Sequence, residues 1–294
     1  MKVESGIIKL SAAMLIFGSI GIFVRYISLP SGAVAAARGV IGTLFLTVLA
    51  AAKRRHLSHE IKSKLPLLCI SGVCIGVNWI LLFEAYRYTT VAAATLCYYM
   101  APVLVIAASP LILKERLTLR KIVCGLAAVL GMVFVSGILS DGLNGGSDMR
   151  GIAFGLSAAA VYASVVLMNK RAGDIPAFDM TVVQLGSAAV VLVPYTLLTE
   201  DISSEMLSIK TVLLLLAVGI IHTGFAYALY FSAIKELKAQ TAAIFSYLDP
   251  LVAVLLSALL LKENMGVDII IGGVLIIGSA VISELSSKKE IEIN

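Results

Sequence analysis

Five polar residues stand where a polar residue is expensive. Asn78, Trp79 and Glu84 lie in NWILLFEAY (78–86), Arg38 in VAAARGVIG (34–42) and Asp249 in YLDPLVAV (247–254), each inside a long apolar run. Tyr98 and Tyr99 precede Pro102, Tyr247 precedes Pro250, and His222 stands alone in a further apolar run. These residues can recognise a small solute and hold a proton. Bond-making chemistry is not indicated: no nucleotide loop, HExxH or serine-nucleophile elbow occurs in the chain.

Each residue has two readings. Asn78 and Trp79 line a pocket or hydrogen-bond a neighbouring helix as packing glue. Arg38 cannot be neutralised by deprotonation and needs an anion, either a structural partner or a solute carboxylate. Glu84 has Arg87 three residues on. It either forms an interfacial ion pair of little worth or attracts cations and carries a coupling proton. Asp249 must be paired, protonated or wet, which makes it the first candidate for proton coupling, unless it caps a helix broken at Pro250. Pro102 and Pro250 remove a backbone bond each and should kink their helices. Tyr98, Tyr99 and Tyr247 could hold a cation or an aromatic ring, or fill the core. For His222, a satisfied buried residue stands beside a binding role.

The medium around these residues follows from composition. Of 294 residues, 60% are hydrophobic and 14% charged, against about 25% charged in soluble domains. Mean hydropathy is +1.00, and the apolar residues come in blocks near the ~20 residues that cross a bilayer as helix. The chain is expected to be all-α, a polytopic membrane protein with ten transmembrane helices at 7–28, 32–52, 66–86, 90–113, 119–138, 150–169, 177–198, 210–233, 239–261 and 267–285. Pro30, Pro66 and Pro176 fall at or just before span starts. Asn78 and Trp79 then lie about 18–20 Å deep at ~1.5 Å per residue. The N-terminal run is read as a retained first span.

Net charge is +5. The basic residues gather at span ends, which suits lipid headgroups and not nucleic acid. With the N-terminus inside, 17 Lys and Arg fall on the cytoplasmic side and 5 outside, so both termini are expected in the cytoplasm of a cell-membrane protein. Cys69, Cys74, Cys97 and Cys124 all fall within spans without CxxC spacing, so no disulfide or metal is implied. His56 and His59 lack a third ligand. No cofactor is indicated.

The chain repeats itself. Residues 83–117 align on 231–265 at a constant offset of 148, pairing Phe83 with Phe231, Tyr99 with Tyr247, Pro102 with Pro250, and Lys114-Glu115 with Lys262-Glu263. Five spans per half is odd, so the second half (150–285) should enter the membrane in the opposite sense to the first (7–138). Inverted repeats of this kind mark secondary transporters, with the solute near the midplane. The polar decoration differs between halves: Trp79 faces Tyr227, Ala101 faces Asp249 and Glu84 faces Ser232. Tyr227 joins the pocket candidates by that correspondence.

NW…A…Y…P…LKERLT…G, repeated as A…P…LKEN…GG, resembles the EamA module of the drug/metabolite transporter superfamily in two tandem copies. The resemblance implies ten spans and alternating access by rocking of the halves. It implies a non-enzymatic carrier of amino acids, nucleoside-like metabolites, organic cations or sugars. Arg38 with Glu84 or Asp249 suits a zwitterion, so an amino acid or related amine is expected, with protons as possible coupling partner. An exporter of organic or quaternary ammonium cations is the alternative, and an intramembrane sensor or enzyme the second. Monomer and homodimer both remain open.

Overall fold

The computed structural model describes residues 2–54, 58–112, 119–135, 146–173, 175–203, 206–236 and 245–293. Arg55, His56, Lys114, Glu115 and Lys238 lie outside these residues, as do the first six positions of the expected span 239–261. The described elements are all helical: α1 Lys2–Arg25, α2 Ser31–Ala52, α3 Ile61–Tyr88, α4 Val91–Tyr98, α5 Ala101–Ile112 and α6 Leu119–Val135 in the first half. The second half holds α7 Gly146–Ala172, α8 Ala177–Thr199 and α9 Ile209–Leu216. A π-helical segment Ala217–Phe225 follows, then α10 Ala226–Glu236, α11 Leu248–Leu260 and α12 Val267–Ile293. Six stretches are long and apolar enough to cross a bilayer: 4–25, 31–52, 61–88, 149–172, 177–199 and 209–233. Four shorter apolar helices accompany them.

The exterior shows which solvent the fold expects. Leu198, Ile209, Leu119 and Val190 are all more than 70% exposed, and water would drive such a surface to aggregate. The interior holds small residues and aromatic rings: Ala35, Ala85, Ala92, Ala94 and Ala158 are wholly buried beside Phe83. Where helices meet, glycine lets backbones touch. A methyl on Gly131 would lie 2.8 Å from the Gly272 carbonyl oxygen, and one on Gly272 2.5 Å from that of Gly131, so α6 and α12 pack backbone to backbone.

The main packing pairs recur when the halves are exchanged. α3 packs on α7 and, in return, α10 on α1; α4 and α5 pack on α7 as α11 does on α1; α2 packs on α8 and α6 on α12. A pseudo-twofold arrangement accounts for all of these pairings. The helices α1, α2, α3, α4, α7, α10 and α11 all contribute to the wall of one central space.

Three local features differ from the sequence expectation. Pro66 lies within α3 instead of at its start, because the helix begins in the polar stretch before the apolar run. The carbonyl of Lys62 that Pro66 leaves without its N–H partner stands among exposed Lys62, Ser63 and Lys64. The expected span 90–113 is two helices, interrupted at Tyr99–Met100, where the Met100 N–H reaches back only to the Cys97 carbonyl. The corresponding interruption in the second half is at Tyr247, the residue ahead of α11.

The third difference is the π-helical segment inside the expected span 210–233. Its cause is visible in the contacts of two glycines five residues apart. Gly219 sits against Ile41 of α2 and Gly224 against Phe45, one α-turn further along α2. In an α-helix, positions i and i+5 diverge by about 140° at 100° per residue. With i→i+5 bonding they come onto one face. The wider turn lets both glycines, and Thr223 between them, meet α2 together.

Candidate functional site

Arg38 is 6% exposed near the start of α2. Its guanidinium carbon lies 4.2 Å from the ring centroid of Trp79 on α3 and 6.0 Å from that of Phe83. Its Nε donates to Thr223 Oγ1 at 2.8 Å, and that hydroxyl donates in turn to the Val218 carbonyl at 3.0 Å. The terminal nitrogens carry no hydrogen bond to another described residue. A methyl on Gly39, one position on, would lie 3.4 Å from the Ala189 backbone nitrogen on α8, so the arginine grows from a closely seated helix.

Across the central space, Asp249 Oδ2 accepts a hydrogen bond from the Tyr99 hydroxyl at 2.8 Å. The two residues sit at the two helix interruptions, Tyr99 after α4 and Asp249 in the first turn of α11. A carboxylate there also gains from the N-terminal dipole of α11. Arg38 and Asp249 border the same cavity without forming an ion pair to each other.

The cavity measures about 550 Å³. Its wall includes Arg38, Asn78, Trp79, Tyr98, Tyr99, Tyr227, Tyr247 and Asp249 among the residues singled out in the sequence. It also includes Phe17, Tyr86, Thr95, Tyr162 and Tyr230, which the sequence reasoning did not place there. The rings form a near-continuous lining. Tyr98 meets Tyr99 at 6.1 Å and Tyr162 at 5.4 Å between centroids, and Tyr227 meets Phe17 at 5.3 Å. Tyr162 offered a signal, a lone tyrosine near the middle of an expected span, where interfacial anchoring does not apply. Tyr86, close to a span end, offered none.

Other candidates have different surroundings. Glu84 lies outside the cavity wall, paired with Arg87 at 3.0 Å on the surface of α3. His222 is 1% exposed and also outside the wall. One ring nitrogen meets Ser19 Oγ at 3.0 Å and the other the Ala217 carbonyl at 3.2 Å, with Phe23 edge-on at 4.5 Å. It pins the π-helical segment to α1. Asn78 reaches the wall, but its amide donates to the Ala158 carbonyl of α7 at 2.7 Å, which is helix-seam glue. Pro102 lies in α5 and Pro250 in α11, each within three residues after an interruption.

Carboxylates tie the two halves together at the starts of α2 and α4. Glu263 accepts from Val91 N at 3.0 Å and Ala92 N at 3.5 Å, capping α4, and takes a hydrogen bond from the Ser257 hydroxyl. Glu200 accepts from Gly32 N at 3.0 Å and Ala33 N at 2.8 Å, capping α2. Both carboxylates come from the second half and satisfy helix-start donors of the first, donors that would otherwise have no acceptor. The Glu200 carboxylate lies directly against Gly32, where a methyl would meet Oε1 at 2.4 Å. Arg25 adds a tie at the same end by donating to the Tyr86 and Thr89 carbonyls.

Comparison with known proteins agrees with this architecture. The EamA-like transporter family model matches residues 4–137 and again 149–284. An uncharacterized transporter, YxxF, of Bacillus subtilis is 28% identical over 92% of this chain and 88% of its own. An uncharacterized transporter of Archaeoglobus fulgidus is 27% identical over 96% and 97%. Protein PecM of Dickeya dadantii is 24% identical over 74% and 72%. A solved crystal structure superposes with a TM-score of 0.67 at 17% identity, covering 97% of this chain and 98% of that one, which shows a shared fold.

Proposed function

The chain belongs to the EamA-like transporter family, and from that premise we propose that it is a secondary transporter for a small zwitterionic metabolite, an amino acid or related amine. It is a multi-pass membrane protein. In our reading it has ten spans in two inverted five-helix halves, with both termini in the cytoplasm of the cell membrane. The exchange-symmetric packing and the two family matches support that layout.

One observation carries the substrate class: a buried guanidinium with unspent N–H groups and a carboxylate border one cavity without neutralising each other. A guanidinium has five donors, and one is taken by Thr223. Leaving the rest unused in a low-dielectric site is unfavourable, so an anionic group entering the cavity is held strongly. The aromatic wall and Asp249 suit the ammonium and apolar parts of the same solute. Nothing but the solute then joins the two charges.

Alternating access is part of the same reading. Glu200 and Glu263 tie the halves together at the starts of α2 and α4, on the side that the charge count assigns to the exterior, and Lys9 with Glu236 ties them at the other. Rocking the halves breaks those two caps. Asp249, hydrogen-bonded by Tyr99 beside the solute, is the coupling-proton candidate. Tyr98, Tyr99, Tyr162 and Tyr227 favour a second reading, export of an organic cation, against which Arg38 weighs.

The test is a thermal-shift screen of the purified protein with amino acids, their decarboxylated amines and quaternary ammonium compounds, followed by uptake into liposomes. Stabilisation by amino acids that is lost on removing the carboxylate supports the zwitterion reading. Stabilisation by the amines and quaternary compounds alone overturns it in favour of the cation reading.

A further inference from the structure

We propose that Thr223, held by the π-helical segment Ala217–Phe225, is the positioning residue that fixes Arg38 against Trp79. The effect on solute binding rests on the function proposed above; the positioning itself does not.

The argument starts with the hydroxyl. The Thr223 proton is committed to the Val218 carbonyl, five residues back at 3.0 Å. Its lone pairs are therefore presented outward, and Arg38 Nε, which can only donate, meets them at 2.8 Å. Thr223 is wholly buried and Arg38 nearly so, so no water competes for this bond. Two constraints then define the guanidinium: one edge is held by Thr223, and one face lies on Trp79 at 4.2 Å. A long, rotamer-rich side chain is thereby fixed before any solute arrives, with its free edge on the cavity.

The segment supplies the register. The i−5 carbonyl is the one that π-helical bonding brings beneath residue i. In regular α-helix a threonine hydroxyl would turn to the i−4 carbonyl of Gly219, and Thr223 and Gly224 could not both face α2. Close packing keeps the bond short: a methyl on Gly42 would lie 2.5 Å from Thr223 Cγ2. His222 anchors the same turn to α1 through Ser19, which makes the segment a rigid support.

Trp79 is the chain's single tryptophan, so its emission in ligand-free purified protein reports the stacked guanidinium directly. Arg38→Ala defines the unstacked spectrum. Thr223→Val keeps the shape and removes the acceptor, and Thr223→Ser keeps the acceptor. Losing one hydrogen bond to a charged donor shifts the balance of Arg38 rotamers by about tenfold. Thr223→Val is therefore expected to give a Trp79 spectrum close to that of Arg38→Ala, while Thr223→Ser gives the wild-type spectrum. Where Thr223→Val does not fold, Thr223→Ala carries the same test. A wild-type spectrum in the acceptor-less variant overturns the proposal, as does an Arg38→Ala spectrum identical to wild type.

Thermal shift by L-leucine and by isopentylamine, its decarboxylated counterpart, separates the two claims. A tenfold loss of leucine affinity in Thr223→Val, restored in Thr223→Ser, is the expected result. If Arg38→Ala moves the Trp79 emission but changes binding of neither probe, the solute reading fails and the positioning role stands.

Discussion

Removing charge from the cap on α4 should loosen the tie between the halves by a defined amount. Glu263 is half-buried and accepts from Val91 N at 3.0 Å, with Ala92 N more distant at 3.5 Å. Hydrogen bonds to a charged group contribute about 1.5–3 kcal/mol each, and a carboxylate at a helix start adds about 0.3–1 kcal/mol. Glu263→Gln keeps one acceptor oxygen for Val91 but loses the charge, and it turns an N–H₂ toward the other donors. Partial exposure screens the difference, so about 1.4 kcal/mol is a fair net loss, or a tenfold shift toward the open state. The assay places a thiol behind the cap. Thr95 lies one turn into α4, is 4% exposed and borders the cavity. In a background with Cys69, Cys74, Cys97 and Cys124 replaced, Thr95→Cys should react with an impermeant maleimide about tenfold faster when Glu263→Gln is added. Glu200→Gln, acting on α2, should add a similar factor independently. An unchanged labelling rate in both variants would refute the claim that these carboxylates hold the halves together there.

Three further outcomes test the site and the packing. Trp79→Ala should lower solute affinity by about tenfold or more through lost stacking and a loosened Arg38, read by isothermal titration with the solute found in the screen. Asp249→Asn should leave the melting temperature near wild type while liposome transport loses its dependence on an imposed pH gradient; a wild-type gradient response would remove Asp249 from the coupling role. Gly72→Ala places a methyl 2.4 Å from the Gln184 carbonyl oxygen, which should destabilise the α3–α8 contact by about 1–3 kcal/mol, visible as a lowered melting temperature.

The sequence made the all-helical, membrane-spanning character legible because it rests on the length and hydropathy of the apolar runs. The cavity was partly legible for the same reason that it exists: Arg38, Trp79, Tyr99 and Asp249 are unfavourable in hydrocarbon and demand partners or water. Side-chain direction was not legible. Glu84 and Trp79 stand five apart on one helix and point to different surroundings, surface and cavity, and only packing decides which faces which. His222 carried the same signal as Asp249 yet serves a helix seam. The π-helical segment was hidden because Gly219 and Gly224 read as ordinary small residues until Ile41 and Phe45 are seen against them.

The interruptions at Tyr99–Met100 and at Tyr247 place helix ends, and so main-chain groups, at the wall of the cavity. Main-chain groups survive every substitution short of proline. A carrier that greets part of its cargo with peptide groups can exchange the surrounding rings and charges as its diet changes without losing a foothold for polar atoms. Such a scaffold can diversify in what it carries faster than in how it carries it.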